Sequence, residues 1–256
     1  MNVGHREALK VNRRDALKIG GVAAVGGTAL AVVPLGKGVE TKTPSRLSAA
    51  NFPRRYAVEI TKQPAAVPRM VDGVAHYDLT QRRQLGQVLT GPLQTPILGY
   101  DGVFPGPRIE LNRGTRAVVR QRNHLPAVGP FGQPNKTSTH LHGSASLPEF
   151  DGYASDITAP GQMKDYHYPN FQPARTMWYH DHGVHWTAQQ AYGGLVAMYL
   201  LRDKDESRLL PTGDFDIPLA TNDAIFAADD SLAYDDNSHS PVMLTLRSRC
   251  RADDSR

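Results

Sequence analysis

Two short histidine pairs, each followed by glycine, constrain this chain more than any other feature. They are His140-Leu141-His142-Gly143 and His180-Asp181-His182-Gly183. In a β-strand, side chains two positions apart leave the same face, about 6.6 Å apart along the chain. Two such strands side by side would bring four imidazoles into one space. Imidazole suits copper, zinc and iron, so the pairs predict a metal site that is built on neighbouring strands.

The residues around the second pair favour an extended backbone. Residues 175–179 are largely apolar and aromatic, as expected of a buried strand. Glycine directly after each pair lets the backbone turn away from the site. A lone histidine in a strand is often structural, but two equally spaced pairs favour metal ligation. Four nearby aromatic residues are interpreted as core packing around the site: Trp178, Tyr179, Trp186 and Tyr192.

The rest of the chain predicts an all-β fold. Its 23 glycines and 19 prolines, spread over 256 residues, favour short strands and turns over long helices. Several short strand-like segments with turn signals between them indicate an antiparallel sandwich or barrel. Residues 76–89 are polar, and we expect an exposed strand pair or an edge strand there. Only residues 186–191 have a helical pattern.

The N-terminus predicts export. Arg13 and Arg14 directly precede an apolar stretch, residues 19–33, in the manner of a twin-arginine signal. Glycines dilute this stretch too much for a stable membrane span. We therefore interpret residues 1–34 as a disordered export signal and the Ser/Thr/Lys/Pro-rich residues 35–51 as a linker. The expected location is periplasmic or extracellular; the alternative is a disordered basic tail.

Charge and cysteine content exclude other classes. The formal net charge is +4, and residues 1–31 hold five basic and two acidic residues, so the remainder is almost neutral. That balance argues against a nucleic-acid-binding surface. The single cysteine, Cys250, excludes an intrachain disulfide and a cysteine-based zinc site.

Further motifs resemble multicopper oxidases of the bilirubin-oxidase type, a family of three cupredoxin domains. The resemblance extends over about residues 55–230. It rests on both histidine pairs and on these segments: FPGP at 104–107, FDGYA at 150–154, KDYHYPN at 164–170, ARTMWYHDHGVHWTA at 174–188 and AYGGL at 191–195.

The resemblance implies a cupredoxin-like Greek-key β-sandwich over residues 52–205 and a role for each histidine of the pairs. His140 is expected to bind the type 2 copper of a trinuclear centre. His142, His180 and His182 are expected to bind its type 3 coppers. The resemblance also implies that Asp151 delivers protons, because reduction of dioxygen to water consumes them; the alternative is a plain turn aspartate before glycine.

Three other histidines are not expected to bind metal. His185 follows the second pair and is interpreted as a residue that supports the site without ligating copper. His124 and His167 are interpreted as structural.

The family reaction is one-electron oxidation of a phenolic or tetrapyrrole substrate at a type 1 copper, coupled to reduction of dioxygen to water. The full centre needs twice the histidines that the two pairs supply, and the His-x-x-His-x-His and His-Cys-His motifs of the last domain do not occur here. Cys250 has no neighbouring histidines, so no type 1 site is expected.

We therefore expect an incomplete oxidoreductase that cannot complete its cycle alone. Residues 206–256 are interpreted as an incomplete connector to a missing second domain, with an aberrant, truncated or frame-shifted tail from about residue 241. The expected partners are dioxygen, a small reducing substrate, and the missing cupredoxin domains or another copy. Two alternatives stay open: a non-enzymatic exported copper-binding module, and a mononuclear zinc or iron site that uses three of the four histidines.

Overall fold

The computed structural model describes residues 63–89, 94–227 and 229–234, and the backbone of residues 243–247. All of them lie within one compact unit. The predicted export signal and linker lie outside these residues and stay predictions. Among the described residues, no helix is both long enough and apolar enough to cross a membrane.

The described chain consists mainly of strands. The strands are β1 (Arg69–Val71), β2 (Val74–Gly86), β3 (Thr95–Tyr100), β4 (Ile109–Asn112), β5 (Ala117–Asn123), β6 (Thr139–His142), β7 (Met163–Tyr168), β8 (Arg175–Asp181), β9 (Val196–Arg202), β10 (Ala220–Ala224) and β11 (Met243–Arg247). The helices are α1 (Thr187–Tyr192) and α2 (Glu206–Leu209), and two 3-10 turns span Pro148–Phe150 and Gly213–Phe215. The helix predicted at residues 186–191 is confirmed as α1.

Two sheets enclose one core. The first has the order β1-β2-β5-β7, with β3 also paired to β2; the second has the order β4-β9-β8-β6. The β2–β5 and β4–β9 pairs are parallel, and the others in these sheets are antiparallel. Strands of both sheets contribute alternate apolar side chains to a single buried cluster. The prediction of an all-β sandwich is therefore confirmed.

Tyrosine is the dominant large side chain of this core. Tyr100 and Tyr179 pack with ring centroids 4.7 Å apart, and Tyr168 and Tyr199 pack edge to face at 5.9 Å. Burial raises the pKa of Tyr166 to about 12, so its phenol stays neutral. The Tyr166 hydroxyl accepts a hydrogen bond from the first backbone N–H of β6, at 2.9 Å. The first sheet thus holds the start of the strand that carries the first histidine pair.

The prediction of an exposed strand pair or edge strand at residues 76–89 fits only the second half of β2, where residues 82–85 are exposed and pair with β3. The first half of β2 is a central strand. β2 has β5 on one side and β1 and β3 on the other. Its polar residues lie mainly on the solvent face, where Asp78 forms a two-point ion pair with Arg122 of β5. Its alternate residues, such as Tyr77 and Leu79, are buried in the core. A polar outer face on a central strand therefore resembles an edge strand in the sequence.

A second, smaller core lies beyond the predicted domain end at residue 205. Ala224, Phe226 and Leu232 pack against the segment that follows β2 and against β3. The Tyr192 hydroxyl accepts the Ile225 N–H at 2.6 Å and donates to the Ala233 carbonyl at 3.0 Å. The backbone of β10 pairs with that of β11, inside the predicted connector and tail. The packed region thus extends past the predicted boundary, while the origin of the tail stays a prediction.

The Tyr192 hydroxyl is expected to hold this segment in place. Tyr192→Phe removes both hydrogen bonds and leaves the half-buried Ile225 N–H without its acceptor, which costs about 1 kcal/mol. Hydrogen exchange should show faster exchange of the Ile225 amide in the variant, with the β5 amides unchanged. Tyr153→Phe, at an exposed tyrosine, is the matched control. Equal Ile225 protection in both variants would contradict the assignment.

Candidate metal centre

The register of β6 against β8 brings the histidine pairs together. In this antiparallel pair, His140 lies directly opposite His180, and His142 lies opposite Trp178. Because side chains alternate along each strand, all four of these side chains project from the same face of the sheet. His182 follows the end of β8 and lies beside them.

The histidines occupy the outer face of the sandwich. The residues between the paired positions, Leu141 and Tyr179, are buried in the core on the opposite face. On the histidine face, His180 is buried, His140 and His182 are half-buried, and His142 is exposed. The candidate centre therefore has the sheet as its floor and is open on the side away from the core.

The four rings form one group. The His140 ring centroid lies 5.5 Å from that of His142, 5.5 Å from that of His180 and 5.1 Å from that of His182. Ligand nitrogens of His140, His142 and His180 all lie within 4.8 Å of one another. The His182 ring lies 6.0 Å from that of His180. The structure thus brings together all four histidines that the sequence proposed.

Two rings are oriented by backbone carbonyls. His180 Nδ1 lies 2.8 Å from the Asp181 carbonyl oxygen, and His140 Nδ1 is hydrogen-bonded to the Asp151 carbonyl oxygen. A carbonyl only accepts, so each Nδ1 carries the proton and donates it. Each Nε2 is then left with a lone pair. This is the arrangement of a metal-binding histidine, whose second nitrogen is fixed by a hydrogen bond.

The chemistry of the group fits a metal ion. His180 Nε2 and His182 Nδ1 are buried and have no hydrogen-bond partner among the described residues. Burial lowers the pKa of His180 to about 4, so the imidazole is neutral near pH 7 and its lone pair is free. Buried polar atoms without partners are uncommon in folded proteins and need an explanation. A metal ion bound by neutral imidazoles supplies one, and copper is among the metals that such a set suits.

Comparison with known proteins also points to a copper-binding family. A family model described as multicopper oxidase matches residues 84–206. The bilirubin oxidase of Albifimbria verrucaria is 41% identical over 187 residues, which cover 69% of this chain and 31% of that protein. A laccase of Bacillus subtilis (strain 168) is 33% identical over 189 residues, covering 65% of this chain and 37% of that protein. The chain contains a multicopper oxidase domain.

Solved structures establish its fold. A multi-copper oxidase from Pediococcus acidilactici superposes with a TM-score of 0.60 at 24% identity, over 68% of this chain and 36% of that one. McoA from Aquifex aeolicus gives 0.59 at 24% identity, over 74% of this chain and 42% of that one. The predicted cupredoxin-like β-sandwich is confirmed. The chain spans about a third of the length of the curated relatives named above.

In the multicopper oxidase domain, Trp178 is part of the histidine face. Its ring stacks on that of His180, with centroids 3.9 Å apart and an interplanar angle of 22°, and on that of His142 at 5.3 Å and 24°. It is 40% exposed. The prediction that Trp178 packs in the core is wrong, whereas Tyr179 is buried there. Because side chains alternate along a strand, Trp178 could have been placed on the same face as His180, and Tyr179 on the opposite face.

Asp151 lies behind the His140 ring. Its Oδ1 is 3.5 Å from His140 Nδ1, the nitrogen that its own carbonyl also contacts. The following Gly152 has φ +72°, and a Cβ there would lie 2.6 Å from the His140 Cα and overlap the Thr139 carbonyl oxygen. The loop therefore packs directly on the backbone of β6. Whether Asp151 also delivers protons stays a prediction.

The three histidines that were not expected to bind metal lie outside the group. His185 is exposed in the turn before α1, with φ +70°. His124 and His167 are exposed; the former follows β5 and the latter lies on β7, in the first sheet.

Asp181, which was not among the predicted site residues, is the buried acidic residue of the site. It lies between two proposed ligands but points into the interior, where it is fully buried. Burial raises its pKa to about 7, and backbone N–H groups that donate to its carboxylate oppose that rise. The sequence contains the information needed to predict this burial. A residue between two outward-facing histidines on a strand must face inward.

Close packing of Gly152 on β6 is expected to position Asp151. Gly152→Ala introduces a Cβ that overlaps the β6 backbone, a clash of the kind that costs about 1–3 kcal/mol, in addition to the strain of positive φ. Gly161→Ala is the matched control, because Gly161 has φ +87° but nothing within 4 Å of a Cβ. Urea denaturation should show a larger loss of unfolding free energy for Gly152→Ala. Equal losses would mean that only backbone strain matters.

Proposed function

We propose that this domain binds copper through His140, His142, His180 and His182, as part of the trinuclear centre of a multicopper oxidase. The whole enzyme would couple oxidation of phenolic or tetrapyrrole compounds to reduction of dioxygen to water. The single observation that carries the proposal is the convergence of four imidazoles on one face, two of which keep a buried nitrogen that has no partner within the described part of the chain.

The division of ligands follows the family pattern. In this proposal His140 binds the type 2 copper, and the other three histidines bind the type 3 coppers. Copper bound in this way supplies the one-electron chemistry that reduction of dioxygen requires. The chain's own residues orient the ligands: the carbonyls of Asp151 and Asp181 hold the rings of His140 and His180 by their Nδ1 atoms. The Asp151 carboxylate lies where it can hold or pass a proton beside His140.

The open side of the centre supports a shared site. His142 and Trp178 are exposed on the histidine face, so nothing among the described residues covers the group from above. The remaining ligands and the electron-accepting copper are proposed to come from further cupredoxin domains or another copy. A twin-arginine signal at residues 1–34 is proposed to export the protein.

A second candidate is a mononuclear site. Its support is that ligand nitrogens of His140, His142 and His180 lie within 4.8 Å of one another, so one ion could contact three imidazoles. Three histidines also suit zinc or non-haem iron. In that case the chain is a metal-binding module rather than part of an oxidase.

Copper titration of the full chain tests the proposal. Wild type should bind copper(II) and give an electron paramagnetic resonance spectrum with coupling to imidazole nitrogens. His140→Ala and His180→Ala should weaken binding by at least about tenfold, since each removes a ligand. His167→Ala, at an exposed histidine of the other sheet, should bind as wild type does. Equal affinity in all four proteins would refute the proposed site.

Trp178 provides an optical test of where copper binds. The chain has two tryptophans, so Trp186→Phe leaves Trp178 as the only one. Paramagnetic copper(II) close to the stacked indole should quench its fluorescence strongly in this variant. Trp178→Phe should retain weaker quenching through Trp186. Stronger quenching in Trp178→Phe than in Trp186→Phe would place the copper away from the histidine face.

Metal competition separates the two candidates. The oxidase proposal expects copper to displace zinc, consistent with the general affinity order in which copper(II) exceeds zinc. Zinc has a filled d shell and should not quench Trp178 by a redox route, so quenching that develops when copper is added to the zinc-bound protein reports displacement of zinc. Tight zinc binding that copper does not displace would favour the mononuclear alternative.

A further inference from the structure

Strand β6 needs support at both ends. It is four residues long, carries two of the four proposed ligands, and lies at the edge of its sheet, where β8 is its partner. A short edge strand has few ladder hydrogen bonds and frays easily. Any slip or fraying would move His140 and His142 relative to His180 and His182.

Asp181 joins the backbone at the start of β6 to the backbone after β8. Its Oδ1 accepts the Ser138 N–H at 2.7 Å, and its Oδ2 accepts the Gly183 N–H at 3.1 Å. Ser138 directly precedes β6, and Gly183 directly follows His182. One fully buried carboxylate therefore fixes the separation of the segments that flank both histidine pairs.

Gln172 holds the other end of β6. Its Nε2 donates to the Gly143 carbonyl at 3.0 Å, and its Oε1 accepts the Ala145 N–H at 2.8 Å. The same Nε2 lies 3.2 Å from the sulfur of Met177, on β8. Gln172 is also buried. The chain that leaves His142 is thus tied to the segment that enters β8.

The chemistry at each position matches its partners. Two backbone N–H groups donate to Asp181, and the two oxygens of a carboxylate can accept both bonds. An amide side chain could accept only one, because its nitrogen is itself a donor and would face the other N–H. Gln172 faces one carbonyl and one N–H, which an amide satisfies and a carboxylate does not. Among the described residues, these hydrogen bonds of Asp181 and Gln172 go to backbone atoms and to the Met177 sulfur, not to a proposed ligand nitrogen.

We propose that Asp181 and Gln172 are positioning residues, which set the spacing of the copper-binding imidazoles by clamping β6 at both ends. This inference rests on the proposed copper-binding function. The two residues act on His140 and His142 through the backbone that flanks them.

Two nearly isosteric variants of the full chain test the clamp. Asp181→Asn and Gln172→Glu each turn one hydrogen bond into a mismatch. Loss of such supporting partners typically weakens metal binding by about 10- to 100-fold. Copper affinity, measured by chelator competition, should fall by that factor, and the copper resonance spectrum should change because the nitrogens have moved.

Matched controls exclude a general effect of the substitutions. Asp165→Asn alters a carboxylate that pairs with Arg120 on the outer face of the other sheet. Gln162→Glu alters an exposed glutamine whose Oε1 accepts the Ala159 N–H, a bond that glutamate keeps. Both controls should bind copper as wild type does, with unchanged spectra. Circular dichroism and urea denaturation of the metal-free proteins confirm that each compared variant is folded.

Hydrogen exchange of the metal-free wild type tests the clamp even if a variant does not fold. The amides of Ser138, Gly183 and Ala145 should exchange as slowly as those in the core strands, and fast exchange would overturn the inference. If wild type binds no copper, the proposed function fails. If wild type binds copper and both folded variants match its affinity and spectrum, the clamp alone is refuted.

Discussion

The antiparallel register between β6 and β8 is the constraint on which the candidate centre depends. It places Leu141 and Tyr179 in the core and, on the opposite face, His140 across from His180. Because strand side chains alternate, a slip by one residue would turn the histidines inward and expose the apolar residues. The core and the candidate metal site are therefore fixed by the same pairing, and burial of the apolar residues selects the face that carries the proposed ligands.

Much of this arrangement was predictable because it depends on local rules. The two His-x-His pairs define a common face by spacing alone, and their approach requires only that two strands be neighbours. Turn signals and short strand-like runs indicated the all-β class, and the helix after the second pair was found at nearly the predicted residues. The resemblance added the architecture and the assignment of ligands, which spacing does not provide. The structure brings the four histidines together, and their assignment as copper ligands stays a prediction.

The failures come from residues whose environment depends on the whole sandwich. The polar residues of β2 predicted an edge strand or exposed strand pair, but in its first half they face solvent from a central strand. Trp178 is apolar and was assigned to the core, yet alternation places it among the histidines. Asp181 was overlooked because a charge between two ligands suggests exposure. Its burial depends on backbone donors at Ser138 and Gly183, which come together only after the strands have paired.

The separation of the two faces of β8 has an evolutionary consequence. The apolar inward residues of β8 pack in the core, whereas the proposed ligand His180 is outward, so a ligand can be replaced without changing the apolar core. A lineage could replace an outward histidine and lose its metal while the sandwich persists, or acquire a different ligand set on the same framework. Retention of fold is then a poor guide to retention of catalysis, and the identity of the outward residues has to be read position by position.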